Sequence, residues 1–418
     1  VARTGKASLL IVFVTVFIDL LGFGIVMPLL PRYAQDFKAS EAQLGMLMAS
    51  FSAMQFLFAP LWGRLSDRVG RRPILMLGLG GSTLSYALFG YVNQLGVDST
   101  LLGLGALTWL FISRIGAGVA GATISTAQAY IADATDHANR GKGMALIGAA
   151  FGIGFTFGPL LGAAFVSAES SAPSPMPGYA AAALSGLALL FAIFKLPESL
   201  APDSVPHDYH WLDAGALRRA LLRPAVGMIL LTMFITTFAF AQFESTLSVL
   251  TEELGMKNDR NNFFVFAYVG LVLTISQGVL VRRMIPKLGE FRMAIVGTSL
   301  MTIGMLGIGL AAKQTSLTLL YCVLPIGVVG FSAVTPSLQS LLSQRSAEEE
   351  QGGILGLGQS MSALARILGP LAGMLLFASN ASYPYWSAAS LMGLGLLLVA
   401  SLRTPDPDAA SKTTAEDV

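Results

Sequence analysis

Between Gly63 and Pro73 the chain packs four arginines and one aspartate (Arg64, Asp67, Arg68, Arg71, Arg72) into one short turn, with an apolar run on either side, 42–62 and 74–93. A water-soluble domain would not bracket so charged a turn with two segments of bilayer-spanning length. In lipid the arrangement is self-consistent: about 20 apolar residues cross the hydrocarbon, and basic turns stay on the cytoplasmic surface. Gly63 and Gly70 are expected to let the two flanking helices approach closely. Asp67 has arginines and a helix N-terminus as available partners.

The rest of the chain points to the same solvent. Charged residues are only 12% of its 418 residues, where an average soluble domain has about 25%. Apolar spans at 9–30, 43–62, 74–93, 101–131, 142–167, 179–196, 225–250, 262–281, 293–312, 316–342, 352–378 and 384–402 predict an all-α membrane protein of twelve transmembrane helices. The first run reads as a full span and not as a cleavable leader. With both termini placed in the cytoplasm, nineteen of the 26 lysines and arginines fall inside and five outside (Arg32, Lys38, Lys257, Arg260, Lys313), leaving Arg114 and Arg366 within spans. That asymmetry fixes the expected orientation. His137, His207, His210 and Cys322 give no metal-ligand cluster or disulfide framework. No nucleophile, base and metal set converges in the loops, so no enzyme, metal or cofactor is expected, and no nucleic-acid partner.

One long polar interruption, 197–224, divides the chain into a six-helix half at 1–196 and a second at 225–402, followed by a short polar tail at 403–418 that reads as disordered. Within the linker, Trp211 to Leu222 could form an amphipathic helix on the membrane surface. The halves repeat. Arg140 to Gly162, containing Gly158 and Pro159, returns 211 residues later as Gln351 to Gly373, containing Gly369 and Pro370. The basic turn returns more faintly from Arg283 through Gly289 to Arg292.

Ionisable groups inside spans are costly and therefore mark function by default. Asp19 stands roughly 17 Å along the first span, near mid-bilayer. Gly22 shares its face, and Pro28 and Pro31 loosen the outer end where the helix must bend. Loss of water favours a neutral carboxyl group, which is what a proton carrier needs; the bland alternative is a carboxylate held by Arg114 or by a neighbouring helix. Arg114 is followed at helical spacing by Gly118, Gly121, Ser125 and Gln128, a small and polar stripe for close packing or a cavity wall. Glu244 shares a face with Thr237, Ala241 and Ser248. Arg366 shares one with Gln359, Ser362 and Gly369 and must find its acid on another helix or in an anionic substrate. Gln55, Gln242 and Gln277 are cavity candidates that could equally bridge helices. Phe51, Met54, Phe155, Phe240 and Phe243 would suit a lipophilic substrate, or simply face lipid or core.

The basic turn resembles the loop pattern G-x-x-x-D-R-x-G-R-R of the major facilitator superfamily. Arg114 with Gly118 resembles that superfamily's helix-4 motif. Gly154, Gly158, Pro159 and Gly162 resemble its antiporter motif, with Ala163 where a final glycine is usual. With Ala129 to Asp133, these stretches make the first five spans resemble drug/proton antiporters, most closely the tetracycline/proton antiporters. The resemblance implies two pseudo-symmetric six-helix halves that rock about a central site. It also implies proton-driven efflux of amphipathic, drug-like compounds, with Asp19 tuned by Arg114. Asp67 and Arg68 would be the main cytoplasmic latch, and Gly63, Gly70, Arg71 and Arg72 would support it or bind anionic headgroups. A monomer in a bacterial inner membrane, conferring antibiotic resistance, completes that expectation. The chain departs from the tetracycline exporters at Ser85 and Tyr86, where they carry an acid, and lacks their histidine in span 8 and acid in span 9. These departures argue against tetracycline–metal chelates. Two other readings stay open: a facilitator or symporter importing a metabolite or organic anion, and a transporter-like receptor without turnover.

Overall fold

Lipid offers no partner for backbone N–H and C=O groups, so the apolar runs close their hydrogen bonds within helices. In the computed structural model of the protein, residues 6–96, 99–135, 140–166, 174–200, 222–345 and 351–402 are described. The helices are α1 (Lys6–Val26), α2 (Leu30–Asp36), α3 (Glu41–Val69), α4 (Arg71–Leu95), α5 (Ala106–Gly121), α6 (Ile124–Ala134), α7 (Arg140–Gly162) and α8 (Met176–Lys195). After the linker come α9 (Pro224–Glu253), α10 (Asp259–Ile275), α11 (Arg282–Leu288), α12 (Glu290–Lys313), α13 (Leu317–Gln344), α14 (Gln351–Ser379) and α15 (Tyr383–Ser401).

Ten helical stretches among the described residues are long and apolar enough to cross a membrane, and eleven if the bent pair α1–α2 is one span. That is fewer than the twelve expected. The first span is broken by 40° between Val26 and Leu30, where Pro28 interrupts the ladder and Pro31 starts the next helix. In the region of α7, only the shorter helical stretch Gly152–Phe165 qualifies as apolar. The fourth span also starts later than expected: residues 100–105 form a hairpin, Thr100–Leu101 against Leu104–Gly105, with positive φ at Leu102 and Gly103. Arg282, Arg283 and Lys287 extend a helix through a π-helical turn at Ser276–Val281, where a loop was expected. The tail and nearly all of the linker's amphipathic segment lie outside the described residues.

Each packing pair in the first half has a counterpart in the second. The pairs α1–α7, α4–α8, α4–α5, α1–α8 and α3–α5 are matched by α9–α14, α12–α15, α12–α13, α9–α15 and α10–α13. The largest contacts across the seam between halves are α3 on α14 and α7 on α10, and α2 makes a smaller one on α9. Gly70 (φ 104°, ψ 154°) joins α3 to α4 as a one-residue turn in a conformation that side chains disfavour, and Gly289 (φ 78°, ψ 159°) makes the same turn between α11 and α12.

Burial shows how the halves meet. Away from Gly70, one continuous core runs through both, from Ile25, Leu47 and Phe89 to Phe243, Leu320 and Tyr385. Toward the Gly70 end the core divides, with Val12, Leu75, Tyr130 and Leu196 in one half and Leu230, Leu338, Leu342 and Val399 in the other. The described residues are thus fused at one end of the molecule and parted at the other.

Candidate functional site

The fused end is tied by polar groups as well as by apolar ones. Because the helix breaks at Pro28, that residue's carbonyl has no helical donor, and it accepts from Ser248 Oγ (2.9 Å) and Asn262 Nδ2 (2.9 Å) across the seam. Arg32, on the short helix α2, is buried; it pairs with Asp259 Oδ1 (3.4 Å) and donates to Thr251 Oγ1 (3.1 Å) and the Met256 carbonyl (2.8 Å). Thr251 donates to Asn262, which closes the network. These bonds meet the donors of both terminal nitrogens, as a buried guanidinium requires, and leave only its Nε without a partner among the described residues. Sequence reasoning counted Arg32 only as an outer charge; its signal was a base placed directly after a proline-broken helix.

Deeper in the first half, Asp19 is half-buried and turned toward α4 and α8. Its Oδ1 accepts from Ser185 Oγ (2.8 Å), and Ser82 adds a second side-chain hydrogen bond. Arg114 is 2% exposed and lies instead under aromatic rings, 4.6 Å from the Phe51 centroid and 5.9 Å from that of Phe23. Phe23 in turn packs on Phe51 (4.9 Å) and edge-on to Phe155 (5.8 Å). No ion pair joins Asp19 to Arg114 among the described residues; Tyr86, buried, lies within electrostatic reach of both. Arg114 Nε and Nη1 are sealed from solvent and have no hydrogen-bond partner among the described residues. Rings return about 0.5–2 kcal/mol to a cation, while each unmet buried donor costs about 1–3 kcal/mol. The aromatic shell therefore does not satisfy this guanidinium.

Gly118 and Gly121 allow the close α3–α5 contact that sets this cluster. A methyl on Gly118 would stand 2.8 Å from Met54 Cβ, and Gln55 Nε2 donates to the Gly121 carbonyl (3.3 Å). Gln55 and Gln242 thus act as bridges between helices; Gln242 Oε1 accepts from Ser387 Oγ (2.9 Å) while its Nε2 is unpaired. Gln128 and Gln359 are exposed. Arg366 finds its acid in Glu244, on α9, as an electrostatic partner without close contact. Gly45 on α3 meets Leu371 on α14 at the seam. From that crossing Phe51 lies about 9 Å down α3 and Arg366 about 7.5 Å down α14, so both stand at similar depth beside the seam.

The antiporter-like glycines are a packing device. Without a Cβ, Gly154 lies against Leu20, and a Cβ on Gly158 would be 2.7 Å from Gly24 Cα, so α1 and α7 touch backbone to backbone. Gly162 abuts Phe263 of α10 across the seam. Pro159 lies inside α7 among them.

In the basic turn the side chain that gathers the polar contacts is Arg71. Arg71 is buried and pairs with Asp67 (2.5 Å) and Asp133 (3.1 Å), and donates to Ser66 Oγ (2.7 Å). Arg68 is exposed, and Arg72 donates to the Ile193 carbonyl (2.7 Å). Around Gly63 a Cβ would meet nothing, so close helix approach, expected at both glycines, is not its service. Glu198, which sequence reasoning missed, closes the site: its carboxylate accepts from the backbone N–H of Arg71 (2.8 Å) and Arg72 (3.1 Å) at the start of α4. A carboxylate there meets orphan donors and the positive end of the helix dipole.

A family model described as the Major Facilitator Superfamily matches residues 12–370. The class E tetracycline resistance protein of Escherichia coli is 32% identical over 401 residues, 94% of this chain and 93% of that protein. Multidrug resistance protein 2 of Bacillus subtilis (strain 168) is 28% identical over 94% of this chain and 95% of its own length. The crystal structure of the human organic anion transporter MFSD10 (TETRAN) superposes with a TM-score of 0.70 at 27% identity, covering 94% of this chain and 99% of that one.

Proposed function

Since this chain belongs to the Major Facilitator Superfamily, an integral membrane transporter and not an enzyme, we propose that it is a proton-coupled antiporter exporting small amphipathic, drug-like compounds. Twelve spans, with α7 among them, and cytoplasmic termini belong to the same reading. So do a bacterial inner membrane, a monomer and no cofactor beyond the proton gradient. The carrying observation is Asp19: a mid-span carboxyl group held by the hydroxyls of Ser185 and Ser82, with no cationic partner among the described residues. Hydroxyls can serve either protonation state, accepting from the acid or donating to the carboxylate. An arginine partner would lock the charged form. The resistance relatives support the efflux direction.

Positive-inside orientation puts the Gly70 end in the cytoplasm. The parted end is then the cytoplasmic one, and the Arg32 network closes the outer face. In the outward-open state the turn around Asp67 and Arg68, supported by Arg71, would engage the second half.

Alkalinisation of acid-loaded proteoliposomes on adding a compound panel tests the proposal. Wild type is expected to exchange protons for compound and Asp19→Asn to lose that exchange while keeping its thermal melt. Full proton-driven transport by Asp19→Asn sinks the assignment. A second reading, uptake or facilitated passage of an organic anion, is favoured by Arg114 and Arg366 and by the organic anion transporter among similar structures. Counterflow that needs no proton gradient would select it.

A further inference from the structure

We propose that Arg114 and the rings of Phe51 and Phe23 form the recognition site for an aromatic monoanion, a flat ring bearing a carboxylate or comparable oxyanion. The proposal deepens the reading of this chain as a transporter by naming the substrate class of its interior. The guanidinium is 2% exposed, and its Nε and Nη1 donate to nothing. Each of those nitrogens shares an edge of the planar fork with Nη2, Nη1 at the end and Nε at the side, and either edge binds a carboxylate with two parallel hydrogen bonds. The acids that might fill the place are engaged elsewhere. Asp19 is bonded to Ser185 and Ser82, and Glu244 is the electrostatic partner of Arg366. Gln55 spends its amide nitrogen on the Gly121 carbonyl. Among the described residues Arg366 thus has Glu244 as its acid, Asp19 rests on serines, and Arg114 is left without a carboxylate partner.

The neighbours define the remainder of the ligand. Phe51 and Phe23 are half-buried and cover the guanidinium. Phe155 stands edge-on to Phe23 on α7, the helix that crosses the seam to α10. A ligand entering beside the seam would displace the Phe51 ring from the guanidinium face, give its oxyanion to one edge of the fork, Nη2 with Nη1 or with Nε, and stack its own ring on the displaced phenylalanines. A neutral analogue would leave the fork without a charged acceptor, and a cation would be repelled by it.

Equilibrium binding to purified full-length protein in detergent, with 1-naphthoate, 1-naphthamide and 1-naphthylmethylammonium as probes, tests this. Naphthoate is expected to bind saturably and about tenfold or more tighter than either analogue. Arg114→Gln should remove that preference, and Arg114→Lys, which keeps the charge but not the fork, should retain part of it. If Arg114→Gln does not fold, Phe51→Leu replaces it and should weaken naphthoate without creating a preference for the amide. Equal binding of the three probes overturns the proposal, as does naphthoate binding that survives in folded Arg114→Gln or disappears only in Arg366→Gln. Binding in detergent needs no gradient. Failure of proton coupling in liposomes therefore leaves this result intact, and failure here leaves proton-driven export of neutral or cationic compounds open.

Discussion

Arg71 and Glu198 show how single residues turn a basic loop into a defined structure. Arg71 is held by Asp67, Asp133 and Ser66, while Glu198 caps the backbone of the next helix and so ties the start of the linker to the first half. The arginine is buried and paired, and its charge is not free for lipid or for a partner half. Arg68, exposed, is. Removing Glu198 should therefore act through the helix terminus. Glu198→Ala is expected to lower stability by about 1 kcal/mol, the usual worth of a cap, and to speed deuterium exchange at the Arg71 and Arg72 amides. Unchanged exchange in the peptide covering α4's first turn would show that the cap contributes nothing.

At the scale of elements, glycine decides which helices can cross. On α7, Gly154 and Gly158 lie against Leu20 and Gly24 of α1, and Gly162 lies against Phe263 of the other half. One helix thus packs on the proton-site helix and on the seam together. A side chain at Gly158 would have to separate two backbones, which are less able to yield than side chains. Gly158→Val is expected to cost about 1–3 kcal/mol by overpacking and to abolish transport, read by thermal melt and by flux in liposomes. Retention of both would show that the α1–α7 contact is not held closely. Gly118 has the same relation to Phe51 and Met54 on α3, and through that contact the α5 backbone delivers Arg114 to its rings.

For the whole molecule, the question is which end is closed, and Arg32 is the residue that answers it. Its pairings with Asp259, Thr251 and Met256, together with the Pro28 carbonyl bonds, all join the halves at the end away from the basic turn. Removing one partner of a buried charge network leaves the others uncompensated, a cost of about 3–5 kcal/mol in a fully buried case. That penalty falls on this closed state alone. Arg32→Gln is expected to shift the population toward opening at that end. Spin labels at positions 38 and 257, in a Cys322→Ser background, should then report a longer and broader distance than in the parent. An unchanged distribution would show that the apolar core alone closes the end.

Much of this was legible along the chain, for a physical reason: the cost of placing polar groups in lipid acts on each segment separately. Span positions, the basic turn and the four charges within spans at Asp19, Arg114, Glu244 and Arg366 follow from that cost, and so does membership in a family of transporters through the motifs those segments carry. What the chain by itself did not disclose was pairing. Along the chain Asp19 could be a proton site tuned by Arg114 or a carboxylate held by it or by a neighbouring helix; helix rotation gives Asp19 two serines and Arg114 two phenylalanines. Gly70 was readable because it governs its own φ, whereas Glu198 meets residues 126 and 127 positions away. Arg32 and Asp259 are separated by 227 positions. No local pattern encodes which long-range partner a charge will meet, because that depends on how two helical bundles lean against each other. The sequence by itself determined the solvent, the spans and the charges worth placing inside them; only the tertiary structure decided which charges neutralise one another and which guanidinium is left to a ligand.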